Sequence, residues 1–290
     1  MTKTLLLDGS FFLYRSISAK VYLTHKDLKT SMYYLLLNSI KSITKQFKPD
    51  KVIILWDSSH YYRKDIYPDY KKKKPIKDEN VLNQLLSVKE QYNSIVKTMK
   101  GLGFASYRRY GFESDDLFAM YIQQYPNEKI IIASRDEDLY QLLIKDRVTI
   151  FEPKNKKIIT EQKFTKEYDI TPQQWVLYKA INGCSGDNVP GIPGVGPVTT
   201  LKFLQGKCSK KEREKIRSKW DIVERNLPLV ALPFNKEPLA FLFPKNKTET
   251  FPLRETNTKL NLDVFMKLCQ LLNFRSFLEN IDDWKILESL

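Results

Sequence analysis

Thr4-Leu5-Leu6-Leu7-Asp8-Gly9 sets an uninterrupted apolar run directly before an aspartate and a glycine. A run this short and this apolar reads as a strand buried on both faces, as in a parallel sheet, where ligands gather at the carboxyl ends of the strands. Asp8 alone could simply make a turn. The pattern returns, however, in Lys51-Val52-Ile53-Ile54-Leu55-Trp56-Asp57, which follows an amphipathic helix over 32–47 and again ends in aspartate. It returns once more in Lys129-Ile130-Ile131-Ile132-Ala133-Ser134, with Arg135-Asp136-Glu137-Asp138 beyond its end. Three such strands with helical segments between them predict an α/β fold, a central mainly parallel sheet flanked by helices, with an acidic crater along one edge.

Gly111-Phe112-Glu113-Ser114-Asp115-Asp116 adds three carboxylates within four residues, just before the apolar run 117–122. One acid there would be a helix cap favoured by the dipole. Three repel one another unless a cation binds, and oxygen-only ligands suit magnesium or manganese. Gathering aspartates from three strands and a helix start has no structural motive, since crowded like charges are costly unless paired or metal-bound.

The rest of the chain carries the opposite charge. Lys and Arg total 48 against 34 acids, a net +14 over 290 residues, which implies nucleic acid or another anionic surface as partner. The segment 61–70 interleaves aromatics with cations and runs into Lys71-Lys72-Lys73-Lys74. Bases stack on the first and phosphates pair with the second, although four lysines alone also fit a solvated charge run. Asp78 caps a long helix to about 100, with Leu82, Leu85, Leu86, Val96 and Met99 among its apolar positions and Gly101 as its stop. Further on, Gly186-Asp187-Asn188-Val189-Pro190-Gly191-Ile192-Pro193-Gly194-Val195-Gly196-Pro197 forms a glycine hairpin whose backbone N–H groups can bind a phosphate. A purely structural Gly/Pro loop also fits this stretch. No apolar stretch is long enough to span a membrane and the opening apolar run is cut at Asp8, so a cytoplasmic protein is expected. Cys184, Cys208 and Cys269 are far apart and are expected as reduced thiols.

Taken together, these blocks resemble the 5′ nuclease family of flap endonucleases, phage 5′→3′ exonucleases and the N-terminal nuclease domain of bacterial DNA polymerase I. They come in family order at 5–9, the strand ending at Asp57, Tyr-Pro-Asp-Tyr-Lys at 67–71, then 111–116, 135–142 and 186–196. The resemblance implies a PIN-like nuclease core over 1–180, with a helical arch at about 60–100. It also implies a helical DNA-binding lobe over 181–290 that contains a helix-turn-helix-type hairpin and C-terminal helices packing on the core. One magnesium or manganese site would come from Asp8, Asp57, Glu113, Asp115 and Asp116, and a second from Asp136, Asp138 and Asp187. Lys71 and Lys74 match cations near the scissile phosphate. Arg15, Arg63, Tyr70, Lys72, Lys73, Lys202, Gly191, Gly194 and Gly196 are expected DNA contacts, and the hairpin is expected to hold potassium.

The implied activity is structure-specific hydrolysis of DNA phosphodiesters by a monomer. The substrates would carry a 5′ flap, nick, gap or RNA primer. Two departures stand out: Cys184 occupies a position where the family usually has aspartate, and Val198 one where many relatives carry lysine. The first opens a rival reading, a structure-specific DNA-binding protein with weakened or lost nuclease activity. A PIN-like ribonuclease is another rival, against which the arch segment and hairpin argue.

Overall fold

The computed structural model describes residues 1–18, 23–26, 28–72, 77–235 and 259–290. Strands β1 (Lys3–Asp8), β2 (Lys51–Trp56), β3 (Ala105–Arg108), β4 (Lys129–Ala133), β5 (Val148–Glu152) and β6 (Lys157–Ile159) form one sheet in the order β3-β2-β1-β4-β5-β6. All neighbours are parallel except β5 and β6. Strand order reverses beside β1, and the crevice outside the carboxyl ends at such a switch point is where open α/β sheets bind ligands. Asp8 ends β1 at that point.

Because side chains alternate along a strand, the apolar runs feed two cores. Leu5, Leu7, Val52, Ile54 and Trp56 face helices α1 (Gly9–Ser18), α2 (Ser31–Phe47) and α3 (Glu79–Gly101), together with Phe265, Phe277 and Trp284 from the C-terminal helices. Leu6, Ile53, Leu55, Ile130 and Ile132 face α4 (Ser114–Gln124), α5 (Gln174–Asn182) through Trp175, and Phe164. The sheet is thus covered on both sides, and its carboxyl edge is left for chemistry.

The long helix begins as its sequence says, with the Asp78 carboxylate accepting from Asn80 N and Val81 N. It also ends where expected, at Gly101, and the chain turns at Gly103, which has φ +97° and lies so close to Lys259 O that a Cβ would sit 2.1 Å from it. Two of its apolar expectations need correction. Leu82 and Leu86 are exposed, and the buried positions are Ser87, Val88, Ile95 and Met99. The first turns of α3 therefore stand off the core.

Gly9 is needed for close approach. A Cβ there would lie 2.5 Å from the Trp56 ring, which is fixed by a 2.7 Å bond from its Nε1 to Ser106 Oγ and by an edge contact with Tyr92. Gly9→Ala is expected to destabilise by about 1–3 kcal/mol through overpacking. Urea unfolding checks it, and an unchanged midpoint would mean that Trp56 moves freely.

Candidate metal centre and nucleic-acid interface

Each strand-end carboxylate is oriented by hydrogen bonds. Asp8 is buried, with Oδ1 accepting from Phe11 N and Oδ2 from Ser134 Oγ across the switch point, both at 2.9 Å. Asp57 Oδ1 accepts from Ser114 N at 2.9 Å and Ser114 Oγ at 3.1 Å. Its backbone is held as well, the N–H donating to Ser10 Oγ and the carbonyl accepting from Tyr92 OH. Asp136 Oδ1 accepts from Asp138 N at 2.8 Å, opening the short turn Glu137–Leu142. None of the hydrogen bonds among the described residues ends on Asp57 Oδ2, Asp136 Oδ2 or the Asp115 carboxylate.

These groups repel one another. Burial, and then Asp57, push the Asp8 carboxyl up to about 7. Burial, Asp136 and Asp8 push Asp115 well above its ordinary value. The oxygens of Asp8, Asp57, Asp115 and Asp136 do not close into a tight cage, for the one trio of ligand atoms within 4.8 Å among the described residues is Asp138, Cys184 and Asp187. An open set of hard oxygens fits magnesium, which keeps several waters and takes only one or two carboxylates directly.

Asp116, expected as a metal ligand, is taken up by hydrogen bonds inside the fold. It is fully buried, its oxygens accept from both Arg63 terminal nitrogens at 2.7 and 2.8 Å, and they also take Glu113 N and Phe234 N. No lone pair is left facing the crater. Glu113 is likewise committed, bonding Arg63, Tyr70 OH and Lys71 Nζ. Although burial raises the Glu113 carboxyl, Lys71 and Arg63 hold it below the usual range. Arg63 and Tyr70, expected as DNA contacts, are each 2% exposed and serve this network instead.

The network places Lys71. Its ammonium pairs with Glu113 and lies 3.5 Å from Asp187, and its backbone N–H donates to Asp187 O. Burial alone would lower it, but Tyr70, Glu113 and Asp187 keep it charged. Lys72 is exposed and paired with Asp69, Arg15 and Lys202 are exposed, and Lys73 and Lys74 lie outside the described residues. Between α5 and α6 (Pro197–Leu204), Gly183 and Gly191 cross so tightly that a Cβ on Gly191 would meet the Asn182 carbonyl at 2.3 Å. Gly194 O accepts from Lys215 Nζ, while a Cβ on Gly196 would meet open space.

Four participants carry no advance signal in the sequence: Ser10, Ser114, Tyr92 and Lys179. The last stands with Nζ 2.6 Å from Asp138 Oδ1. Cys184 Sγ lies 3.8 Å from both Asp138 Oδ2 and Asp187 Oδ2, and burial, then those two carboxylates, push its thiol far up.

Carboxylates converge on the switch point of a mostly parallel sheet, where open α/β sheets bind their ligands, beside a buried arginine that fixes a basic segment. The chain belongs to the 5′-3′ exonuclease family: residues 3–169 match that family's N-terminal resolvase-like domain. It is 31% identical over 291 residues to a 5′-3′ exonuclease of Aquifex aeolicus, covering 97% of this chain and 96% of the relative. Identity is also 31% over 210 residues with thermostable DNA polymerase I of Thermus thermophilus, covering 70% of this chain and 24% of the polymerase. Among solved structures it resembles a bacteriophage T5 protein co-crystallised with metal ions (TM-score 0.69, 18% identity, 93% of this chain and 98% of that one). It also resembles the catalytic core of Rad2 in complex with DNA substrate (TM-score 0.55, 13% identity, 99% of this chain and 91% of that one). Among the described residues no helix is long and apolar enough to cross a membrane.

Asp8 and Asp115 hold protons in the fold at pH values where the unfolded chain, with an ordinary value of 3.8, has released them. For Asp8 the folded state binds more protons from about pH 4 up to about pH 7, and Asp115 acts in the same direction, so this contribution to stability falls as pH rises. In metal-free protein, Asp115→Asn is expected to raise the melting temperature near neutral pH and to do little at about pH 5. Asp116→Asn should cost about 3 kcal/mol at both, because it strips a partner from buried Arg63. Thermal melts that reverse this order would exchange the two roles.

Proposed function

We propose that the chain cuts DNA near 5′ ends, acting as a structure-specific 5′ nuclease on flaps, nicks, gaps or RNA primers, as a monomer in the cytoplasm. The observation that carries this reading is the convergence of Asp8, Asp57, Asp115 and Asp136 at the switch point within the field of charged Lys71. Asp57 and Asp136 each keep one oxygen open beside one held by serine or backbone donors, Asp115 keeps both open, and Asp8 is held at both, a set that suits one magnesium or manganese ion. Such an ion supplies Lewis-acid polarisation of a phosphate and activation of an attacking water.

The chain's own residues do the rest. Ser134 and Ser114 hold Asp8 and Asp57 in single orientations, and Ser10 with Tyr92 fixes the backbone beneath Asp57. The Lys71 ammonium neutralises charge on the phosphate and helps to set its in-line approach. Residues 1–180 are assigned the chemistry, with 60–100 as the arch that guides a strand, and 181–290 the grip on duplex DNA through a helix-turn-helix-type hairpin. Gly191, Gly194, Gly196 and a bound potassium ion would receive a phosphate there, with Arg15, Lys72, Lys73, Lys74 and Lys202 as cationic contacts. A flap endonuclease of bacteriophage T5, whose structure with DNA and metal ions shares the fold at a TM-score of 0.67, supports this reading.

End-labelled flap, nicked duplex and single-stranded DNA are incubated with magnesium, with manganese and with chelator. Cleavage near the 5′ end of the flap, dependent on the ion, is expected, and no cleavage with any ion would overturn the reading. Lys71→Ala should lower the single-turnover rate by about a hundredfold while flap affinity changes only a few-fold, since many other cations hold the duplex. Equal losses would make Lys71 a general phosphate contact.

A further inference from the structure

The crater has two halves of unlike charge. On one side, none of the ion pairs among the described residues ends on Asp8, Asp57 or Asp115. On the other, Asp138 has an ammonium of its own and Asp187 shares one with Glu113. Lys179 Nζ lies 2.6 Å from Asp138 Oδ1, both side chains being only 13% exposed, and Lys71 Nζ lies 3.5 Å from Asp187 Oδ1. The Lys179 ammonium also stands 5.7 Å over the Trp175 ring, which limits where it can swing. Between the two carboxylates sits Cys184 Sγ, 3.8 Å from each, as a weak donor.

The Lys179 ammonium balances Asp138, while Lys71 is shared between Glu113 and Asp187. A divalent ion entering there would shed water to meet a fixed ammonium on Asp138, and a thiol is a poor ligand for magnesium. The compactness of Asp138, Cys184 and Asp187, whose ligand atoms lie within 4.8 Å of one another, is accounted for by the thiol donor and the two ammoniums. An ion is not required to explain it. Resting on the metal-dependent reading above, we infer that Lys179, with Lys71, takes the place of a second cation. The chain then binds a single divalent ion, on the side of Asp8, Asp57, Asp115 and Asp136, and carries its other positive charge covalently. Lys179 is in this role a positioning residue, holding Asp138 and balancing its charge.

The test counts ions without DNA and without turnover. The full-length protein is titrated with manganese near neutral pH, and free ion is read by electron paramagnetic resonance. One ion per chain is expected for the wild type. In the variant Cys184→Asp with Lys179→Met, a carboxylate is gained and an ammonium lost, and two ions are expected. Cys184→Asp with Lys179→Arg keeps the cation and should stay at one. Two ions in the wild type would overturn the inference, as would a single ion in the Asp/Met variant with a wild-type circular dichroism spectrum. Should that variant not fold, the wild-type count decides. One ion bound without cleavage of flap DNA supports this inference while removing the functional reading, so the two fail separately.

Discussion

A guanidinium sealed from solvent holds this molecule's site together. Arg63 donates to Asp116 through both terminal nitrogens, to Glu113, and to the carbonyls of Leu229 and Ala231. Burying such a charge is costly unless its partners and donors are fully matched. Here they are, and the matching is what makes the network specific. It joins the basic segment, the start of α4 and a stretch more than a hundred residues later, and Tyr70 and Lys71 follow from it.

The acidic crater depends on that arrangement by contrast. Nature has paired Glu113 and Asp116 with Arg63, Tyr70 and Lys71, so their charges are spent internally. Asp8 and Asp115 have no such partner, and burial with neighbouring carboxylates pushes both toward the neutral form. Adjacent residues of one helix start thus do opposite work: Asp115 adds to the repulsive field, and Asp116 removes charge from it. Fixed serine and backbone donors hold both oxygens of Asp8 and one oxygen each of Asp57 and Asp136, whose other oxygens stay open.

The sheet was legible because its strands are short apolar runs bounded by aspartate, a pattern that only a doubly covered parallel sheet requires. The strand-end acids were legible for the same reason. Asp115 and Asp116 were not separable, because one step along a helix turns a side chain by about a quarter of a circle and a sequence does not say which direction is interior. The deciding partner, Arg63, is 53 residues from Asp116 and sits among aromatics and lysines that read as a solvent-facing nucleic-acid segment. Lys179 gave no sign either, since a lysine on an amphipathic helix is ordinarily solvated. Gly101 was legible as the end of its helix, but not the left-handed turn at Gly103, where the chain must pass Lys259.

The carbonyls of Leu229 and Ala231 and the N–H of Phe234 complete the Arg63 and Asp116 pairings, although everything that bears the strand-end acids lies before residue 137. A ribosome therefore finishes the acids long before it releases the segment that seals them. During synthesis, which proceeds from the N-terminus at about 5–20 residues per second, Arg63 and Asp116 wait unsealed for several seconds. The nascent chain passes through an interval in which its cutting residues exist but are not yet mounted. In the order of synthesis, the frame around the acids is therefore completed after the acids themselves.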